Sequence, residues 1–122
     1  MSTTPEPHAF AEEWIAAWNA HDPDRILSHY AVDAVVRTPV AAQRVPESGG
    51  VVRGHDALRA YWGPALEVMP DLRFTLVQAM PTVDGVTILY TNHRAQLVAE
   101  LVLWGDDGLV HTAVVSYGAT SA

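Results

Sequence analysis

A single carboxylate interrupts the most apolar stretch of the chain, "LVAELVLW", which runs from Leu97 to Trp104. The composition is typical of a buried strand. A carboxylate in such surroundings pairs with a cation, accepts hydrogen bonds or stays protonated, and burial alone can raise a carboxyl pKa by ~3–5 units. Glu100 is therefore a candidate neutral hydrogen-bond donor or general acid near pH 7. The alternative is a structural glutamate, paired with an arginine or turned to solvent at a sheet edge.

A histidine on the following strand is the candidate base. Side chains of a strand alternate between two faces, so His111 shares a row with Ala113 and Tyr117 on the predicted strand 109–117. Imidazole is the side chain whose ordinary pKa of ~6.5 suits proton transfer near neutrality. A Glu100–His111 pair would form a proton-transfer dyad for general acid–base chemistry if the rows of the two residues face one pocket. A histidine that is only hydrogen-bonded or half exposed is the alternative.

Other chemistries lack the residues they require. The chain has no Cys, which excludes disulfides, thiolate nucleophiles, iron–sulfur clusters and Cys-type zinc sites. It has no HxH, HxxxH or HExxH spacing, and no GxSxG, Walker or GxGxxG motif follows a strand. We therefore expect no metal and no cofactor. "NHRA", residues 92–95, is interpreted as a polar hairpin tip that could also border a pocket, and His21–Asp22 as a helix cap.

Charge and hydropathy limit the partners. Seven Arg and no Lys stand against fourteen acidic residues, for a net charge of -7, and no basic cluster offers a surface for nucleic acid or an anionic membrane. "MSTTPEPHAF" lacks the basic and apolar regions of a signal peptide, and no apolar run reaches the ~18 residues of a membrane span. We expect a cytoplasmic protein whose partner is a small apolar ligand.

Helices are predicted in the first part of the chain and strands in the rest. Apolar spacing predicts one helix from Phe10 to His21, a second capped by Asp22 with Pro23 in its first turn, and a third over 54–69 bent at Gly63-Pro64. Strands are predicted at 31–40, Leu72–Met80, Val86–Asn92, Gln96–Trp104 and Leu109–Tyr117, with 41–50 a mobile irregular connection and Pro81 to Gly85 a break. This order indicates an α+β domain over residues 8–118, with tails at 1–7 and 119–122.

Three stretches in sequence, "AWNAHDPDRILSHYAVDAVV", "VRGHDALRAYW" and "MPDLRF", resemble the nuclear transport factor 2-like superfamily. Within it the chain is similar to the SnoaL-like polyketide cyclases and ketosteroid isomerases, over about residues 8–118. The resemblance implies a cone-shaped, strongly curved antiparallel sheet wrapped by three N-terminal helices, a cystatin-like α+β barrel with an internal pocket. It also implies a homodimer formed through the outer face of the sheet.

The resemblance places three functional positions on this chain. Ketosteroid isomerases use a Tyr on the first helix, an Asp base near the end of the first strand and an acidic donor on a late strand, and these fall at Trp14, Thr38 and Glu100. Only the acid is retained, and a hydroxyl cannot replace a carboxylate as the base for a carbon acid. We therefore do not expect steroid isomerisation by that mechanism. The hairpin between Gly85 and Glu100 is shorter than in those isomerases, which implies a shallower or more open pocket.

Combined, these features predict a cofactor-independent enzyme that acts on a small apolar molecule by general acid–base chemistry, of isomerase, cyclase or dehydratase type. Its catalytic residues would be Glu100 and His111. The residues expected to contact the ligand are Trp14, Tyr30, Thr38, Tyr61, Trp62, Val98, Val102, Ala113 and Tyr117. Two alternatives stay open, because the superfamily also hosts proteins without catalysis: a binding or carrier module with the same pocket, and an association domain in which only the dimer face matters.

Overall fold

A computed structural model describes residues 4–119, which contain four α-helices and six strands, and the last four strands follow one another without a helix between them. The helices are α1 (Pro7–Asn19), α2 (Pro23–Leu27), α3 (Pro39–Arg44) and α4 (His55–Val68). The strands are β1 (Tyr30–Arg37), β2 (Val51–Arg53), β3 (Thr75–Thr82), β4 (Gly85–Thr91), β5 (Leu97–Trp104) and β6 (Val110–Tyr117). The predicted tails fall partly outside the described residues, at 1–3 and 120–122.

The strands form one sheet in the order β2-β1-β6-β5-β4-β3. The sheet is curved but not closed, and the register shifts by one residue in β3 near Val77 and in β6 near His111. Bulges of this kind bend a strand and increase its twist. The predicted α+β class is confirmed. One neighbouring pair differs from the antiparallel expectation, because β1 and β6 run parallel.

Side-chain caps explain where the first helices begin. The Glu6 carboxylate accepts a hydrogen bond of 2.6 Å from the Ala9 amide, and Asp22 accepts one of 3.2 Å from the Arg25 amide. The His21 ring nitrogen Nε2 lies 2.8 Å from the Leu72 carbonyl oxygen. His21 and Asp22 therefore serve the helix connection, as the sequence predicts.

The segment 41–50 is not the irregular connection that its composition predicts. It contains most of α3 and a 3₁₀ turn at Pro46–Ser48. Thr38 starts α3, because its hydroxyl accepts a hydrogen bond of 3.3 Å from the Val40 amide and Pro39 fits the first helical position. β2 follows this segment and pairs with β1, so the segment is an ordered connection between two neighbouring strands.

The predicted break from Pro81 to Gly85 is also wrong at both of its ends, because Pro81 and Thr82 belong to β3 and Gly85 begins β4. β3 runs through Pro81 to Thr82, with Pro81 opposite Val86 of β4. β3 is the outermost strand of the sheet, and an edge strand tolerates proline because one row of its amides needs no partner. The turn is therefore confined to the residues between Thr82 and Gly85.

The helices cover one face of the sheet, and aromatic side chains fill the space between. Phe74 lies 4.4 Å from Tyr90 between ring centroids, and Trp18 lies 5.1 Å from Trp62. Trp14 is 1% exposed and donates a hydrogen bond of 3.0 Å to the Tyr30 hydroxyl. These contacts hold α1 and α4 apart from the sheet, and the cavity opens beside them.

Candidate functional site

A cavity of about 310 Å³ lies between the inner face of the sheet and the helices α1, α3 and α4. Its buried surface includes Glu100, Tyr90 and Trp62, whereas Arg44 and Arg94 are exposed and mark its mouth. The volume is at the lower end of the ~300–1,000 Å³ typical of small-molecule sites. Most of the remaining lining is apolar, which suits a small, largely apolar ligand.

The position of Glu100 follows from strand alternation. In β5 the buried residues are Val98, Glu100, Val102 and Trp104, and they form the inner face, as predicted. Glu100 is 5% exposed and lies opposite Ile88 on β4 and Val115 on β6. The carboxyl group is therefore fixed on the central part of the sheet and points into the cavity.

Burial determines the protonation of Glu100. It raises the pKa of Glu100 to about 8, and the hydrogen bond that the Tyr90 hydroxyl donates, 3.4 Å to Oε1, opposes this effect only in part. No arginine or histidine forms an ion pair with Glu100 in the part of the chain that the structure describes. Glu100 is consequently protonated at pH 7, with an O–H group available to an acceptor in the cavity.

Tyrosine hydroxyls surround this carboxyl group and stay neutral. Burial, and the nearby Glu100 after it, raise the pKa of Tyr30 and of Tyr90 well above the ordinary value. Burial also raises the pKa of Tyr61 to about 12 and raises that of Tyr117. All four side chains are therefore hydrogen-bond donors over the physiological pH range.

The expected ligand-contacting residues divide into two groups. Five of them line the cavity: Thr38, Tyr61, Trp62, Val98 and Tyr117. The other four are buried in the core and do not line it: Trp14, Tyr30, Val102 and Ala113. Tyr30, Val102 and Ala113 lie on strands of the sheet and Trp14 lies on α1, and all four are packed within the hydrophobic core.

The prediction that His111 faces the cavity beside Glu100 is wrong. Trp104 pairs with Val110 and Leu103 pairs with Thr112, so His111 is the extra residue of a bulge. The bulge breaks the two-residue alternation on which the prediction rests. The His111 side chain is 45% exposed, and Nε2 lies 3.1 Å from an Asp107 carboxylate oxygen. Ala113 and Tyr117 lie beyond the bulge and pair with Val102 and Val98 of β5, so they are on the same face of the sheet as Glu100, as predicted.

Tyr90 is a cavity residue that the sequence did not single out. Tyr90 reaches Glu100 diagonally, because Ile88 is the residue directly opposite. This contact requires the register of β4 on β5, which the sequence does not show. His93 of the β4–β5 turn lines the cavity, so "NHRA" borders the pocket as well as forming a hairpin tip. The His93 Nδ1 and Trp18 Nε1 atoms are buried and have no hydrogen-bond partner within residues 4–119.

Two further classes of site have no support in residues 4–119. No group of three or more His, Asp or Glu side chains could hold a metal ion there. None of the helices in that range is both long and apolar enough to cross a membrane. The polar groups of the cavity that can give or take a proton include Glu100, the tyrosine hydroxyls and His93.

Comparison with known proteins gives a family and several structural relatives. The model of the SnoaL-like domain matches residues 11–115, and no curated protein matches the chain. A SnoaL-like protein of unknown function from Burkholderia thailandensis E264 is 39% identical, with a TM-score of 0.89 over 93% of this chain and 94% of that one. A protein with a cystatin-like fold from Methylobium petroleophilum PM1 is 18% identical, with a TM-score of 0.73 over 98% and 82% of the two chains. A proposed isomerase of the SnoaL-like family from Agrobacterium tumefaciens C58 is 14% identical, with a TM-score of 0.72 over 93% and 97%.

Proposed function

Because the chain belongs to the SnoaL-like domain family, we propose that it is a cofactor-independent enzyme that moves protons on a small, largely apolar carbonyl compound. The reaction is of the isomerase, cyclase or dehydratase type, each of which passes through an enol or enolate. The observation that supports this proposal is the protonated carboxyl group of Glu100 inside an apolar cavity.

Glu100 acts as the acid. Its O–H group donates a hydrogen bond to the substrate carbonyl oxygen, and this bond strengthens as negative charge develops on that oxygen. The apolar lining excludes water, so the bond is stronger than it would be in solution. Ketosteroid isomerase uses the same arrangement, since an apolar site there keeps a carboxylic acid neutral. The Tyr90 hydroxyl holds the carboxyl group in place.

His93 acts as the base, in the role that the sequence suggested for His111. It is the only imidazole among the described residues that line the cavity, and its Nδ1 has no partner. In the proposed step this nitrogen takes the proton from the carbon next to the carbonyl group, and the electron pair of the broken C–H bond moves into the enolate. The imidazolium then returns the proton to another atom of the substrate, which regenerates the base.

Hydrogen–deuterium exchange tests the proposal without knowledge of the natural substrate. 2-Tetralone is a small apolar ketone with acidic protons, and ¹H NMR in D₂O measures their loss. We expect the protein to accelerate exchange over buffer, and Glu100→Gln and His93→Ala each to reduce the acceleration by about 10²-fold. His111→Ala is the matched control, since this exposed histidine lies outside the cavity, and it should leave the rate unchanged.

Two results would contradict the enzymatic proposal. One is exchange at the rate of buffer alone, and the other is acceleration that Glu100→Gln leaves intact. Saturable binding of 2-tetralone without exchange would identify the chain as a binding or carrier module instead. Such a result would agree with the sequence, in which Trp14 and Thr38 stand at two positions where ketosteroid isomerases have catalytic groups.

The outer face of the sheet supports a second part of the proposal, a homodimer. In β5 the side chains that alternate with the buried row are Leu97, Ala99, Leu101 and Leu103, and they lie on the face that the helices do not cover. Leu97 is 46% exposed. A row of leucines without a covering layer is typical of a surface that associates with another chain.

A further inference from the structure

We propose that the ligand of this cavity is an organic anion, whose acidic group is bound at the mouth by Arg44 and Arg94. This inference rests on the proposed function for the position of the reacting end, beside Glu100. It adds the chemical class of the molecule, an apolar body that carries a carboxylate or an equally acidic group at its other end.

Both arginines line the cavity, and neither has a carboxylate partner among the described residues. The chain is strongly acidic, with fourteen Asp and Glu residues against seven Arg, and two arginines pair with carboxylates, Arg25 with Glu13 and Arg59 with Asp24. Of the five arginines without an ion pair in residues 4–119, Arg44 and Arg94 are the two that line this cavity. Arg44 and Arg94 form no ion pair with any carboxylate between residues 4 and 119. The only acidic residue that lines the cavity within this range is Glu100, which is neutral at pH 7. The mouth is therefore positive on a negative protein.

The two arginines come from separate elements that meet beside the end of β6. Arg44 ends α3, and its charge lowers the pKa values of Tyr61 and Tyr117. Arg94 lies in the β4–β5 turn, where Gln96 donates a hydrogen bond of 3.1 Å to the Gly118 carbonyl oxygen, next to Tyr117. Two guanidinium groups from different elements thus line the same cavity, and guanidinium is the cation that matches a carboxylate in geometry.

Two features of the cavity are consistent with a ligand that carries oxygen atoms. Trp18 is 8% exposed, lines the cavity and has an Nε1–H group without an acceptor. A buried donor without an acceptor costs free energy, and a ligand oxygen would satisfy it. An anionic group placed among the exposed guanidinium groups keeps part of its hydration, so it avoids the cost of burying a charge.

A pair of isosteric probes tests the inference. 2-Naphthoate and 2-naphthamide have the same shape and differ in charge, and isothermal titration calorimetry measures their dissociation constants. We expect the protein to bind 2-naphthoate about tenfold more tightly than the amide, and Arg44→Gln and Arg94→Gln each to weaken naphthoate binding about five- to tenfold while leaving amide binding unchanged. Arg53→Gln on β2, outside the cavity, is the matched control and should have no effect.

The outcome is independent of catalysis, because no turnover is measured. Three results would each overturn the inference: equal affinities for the two probes, binding of neither probe, or a naphthoate preference that remains when Arg44→Gln and Arg94→Gln are combined. Glu100→Gln should keep the preference for naphthoate. If the unmodified protein exchanges the protons of 2-tetralone at the rate of buffer alone and still prefers naphthoate, the acid–base proposal is refuted and the anion site is not. Exchange on 2-tetralone without any preference for the anion would refute the anion site alone.

Discussion

Replacement of Glu100 by glutamine should remove a pH dependence of stability that the native carboxyl group imposes. The ordinary pKa of 4.5 describes this group in the unfolded chain, and burial raises it to about 8 in the folded protein. A raised pKa means that the stabilising effect of protonation is complete below pH 4.5 and is lost as the pH rises toward 8. At 1.36 kcal/mol per unit, the cost of keeping Glu100 protonated is about 1 kcal/mol at pH 5 and about 3 kcal/mol at pH 7.

The measurement is urea unfolding at pH 5, 6, 7 and 8, followed by the fluorescence of the four tryptophans. Between pH 5 and pH 7 the free energy of unfolding of the unmodified protein should fall by about 2–3 kcal/mol relative to Glu100→Gln. Glutamine is nearly isosteric with protonated glutamate and does not titrate. Other titrating groups, including the six histidines, are common to both proteins and cancel in the difference.

Glu67→Gln is the matched control, because Glu67 is exposed on α4 and should follow the unmodified protein at every pH. If Glu100→Gln and the unmodified protein show parallel stability curves from pH 5 to 8, the carboxyl group is not held protonated by burial. The proposed acid would then be a carboxylate at neutral pH, unable to donate a proton to a substrate oxygen.

Two other predictions concern the surface. Hydrogen bonds from Arg25 lower the pKa of Glu13 to about 2, so the stabilising effect of the ionised Glu13 is present above pH 4.5 and is lost as the pH falls toward 2. Because the Glu13 side chain is 38% exposed, Glu13→Gln should reduce the free energy of unfolding at pH 7 by only about 1 kcal/mol. Thermal unfolding at low pH should show no difference between the two proteins. Leu101→Glu should convert the proposed dimer to a monomer, as measured by light scattering after size exclusion. Val32→Glu is the control, because Val32 is 74% exposed and lies away from β5, and it should leave the mass unchanged. A Leu101→Glu protein of unchanged mass would contradict a dimer formed through this face of β5.

Local periodicity predicts the order of most elements and the row of side chains that contains Glu100. Two-residue alternation in "LVAELVLW" groups Glu100 with Val98, Val102 and Trp104, the family resemblance assigns this row to the pocket, and the structure agrees. Alternation fails at His111, where an extra residue enters β6. A bulge has no composition signal here, since neither Val110 nor His111 is a glycine or a proline.

Contacts between distant segments are the part of the site that the sequence does not reveal. The hydrogen bond from Tyr90 to Glu100 depends on the register of β4 on β5. The placement of Arg44 on the same cavity as Arg94 depends on α3, which begins at the local cap of Thr38. "AAQRVPESGG" has the glycine, proline and serine content of a loop, and this composition concealed a helix that begins two residues earlier.

The borders of the sheet affect how the protein behaves at high concentration. A strand with a long row of unpaired amides can template the addition of strands from other molecules, which is how fibrils grow. β2 is only three residues long, and β3 carries Pro81, which has no amide hydrogen. One border is therefore short and the other is interrupted near its end, and both features disfavour the addition of strands from other molecules beside the exposed Val77 and Val83.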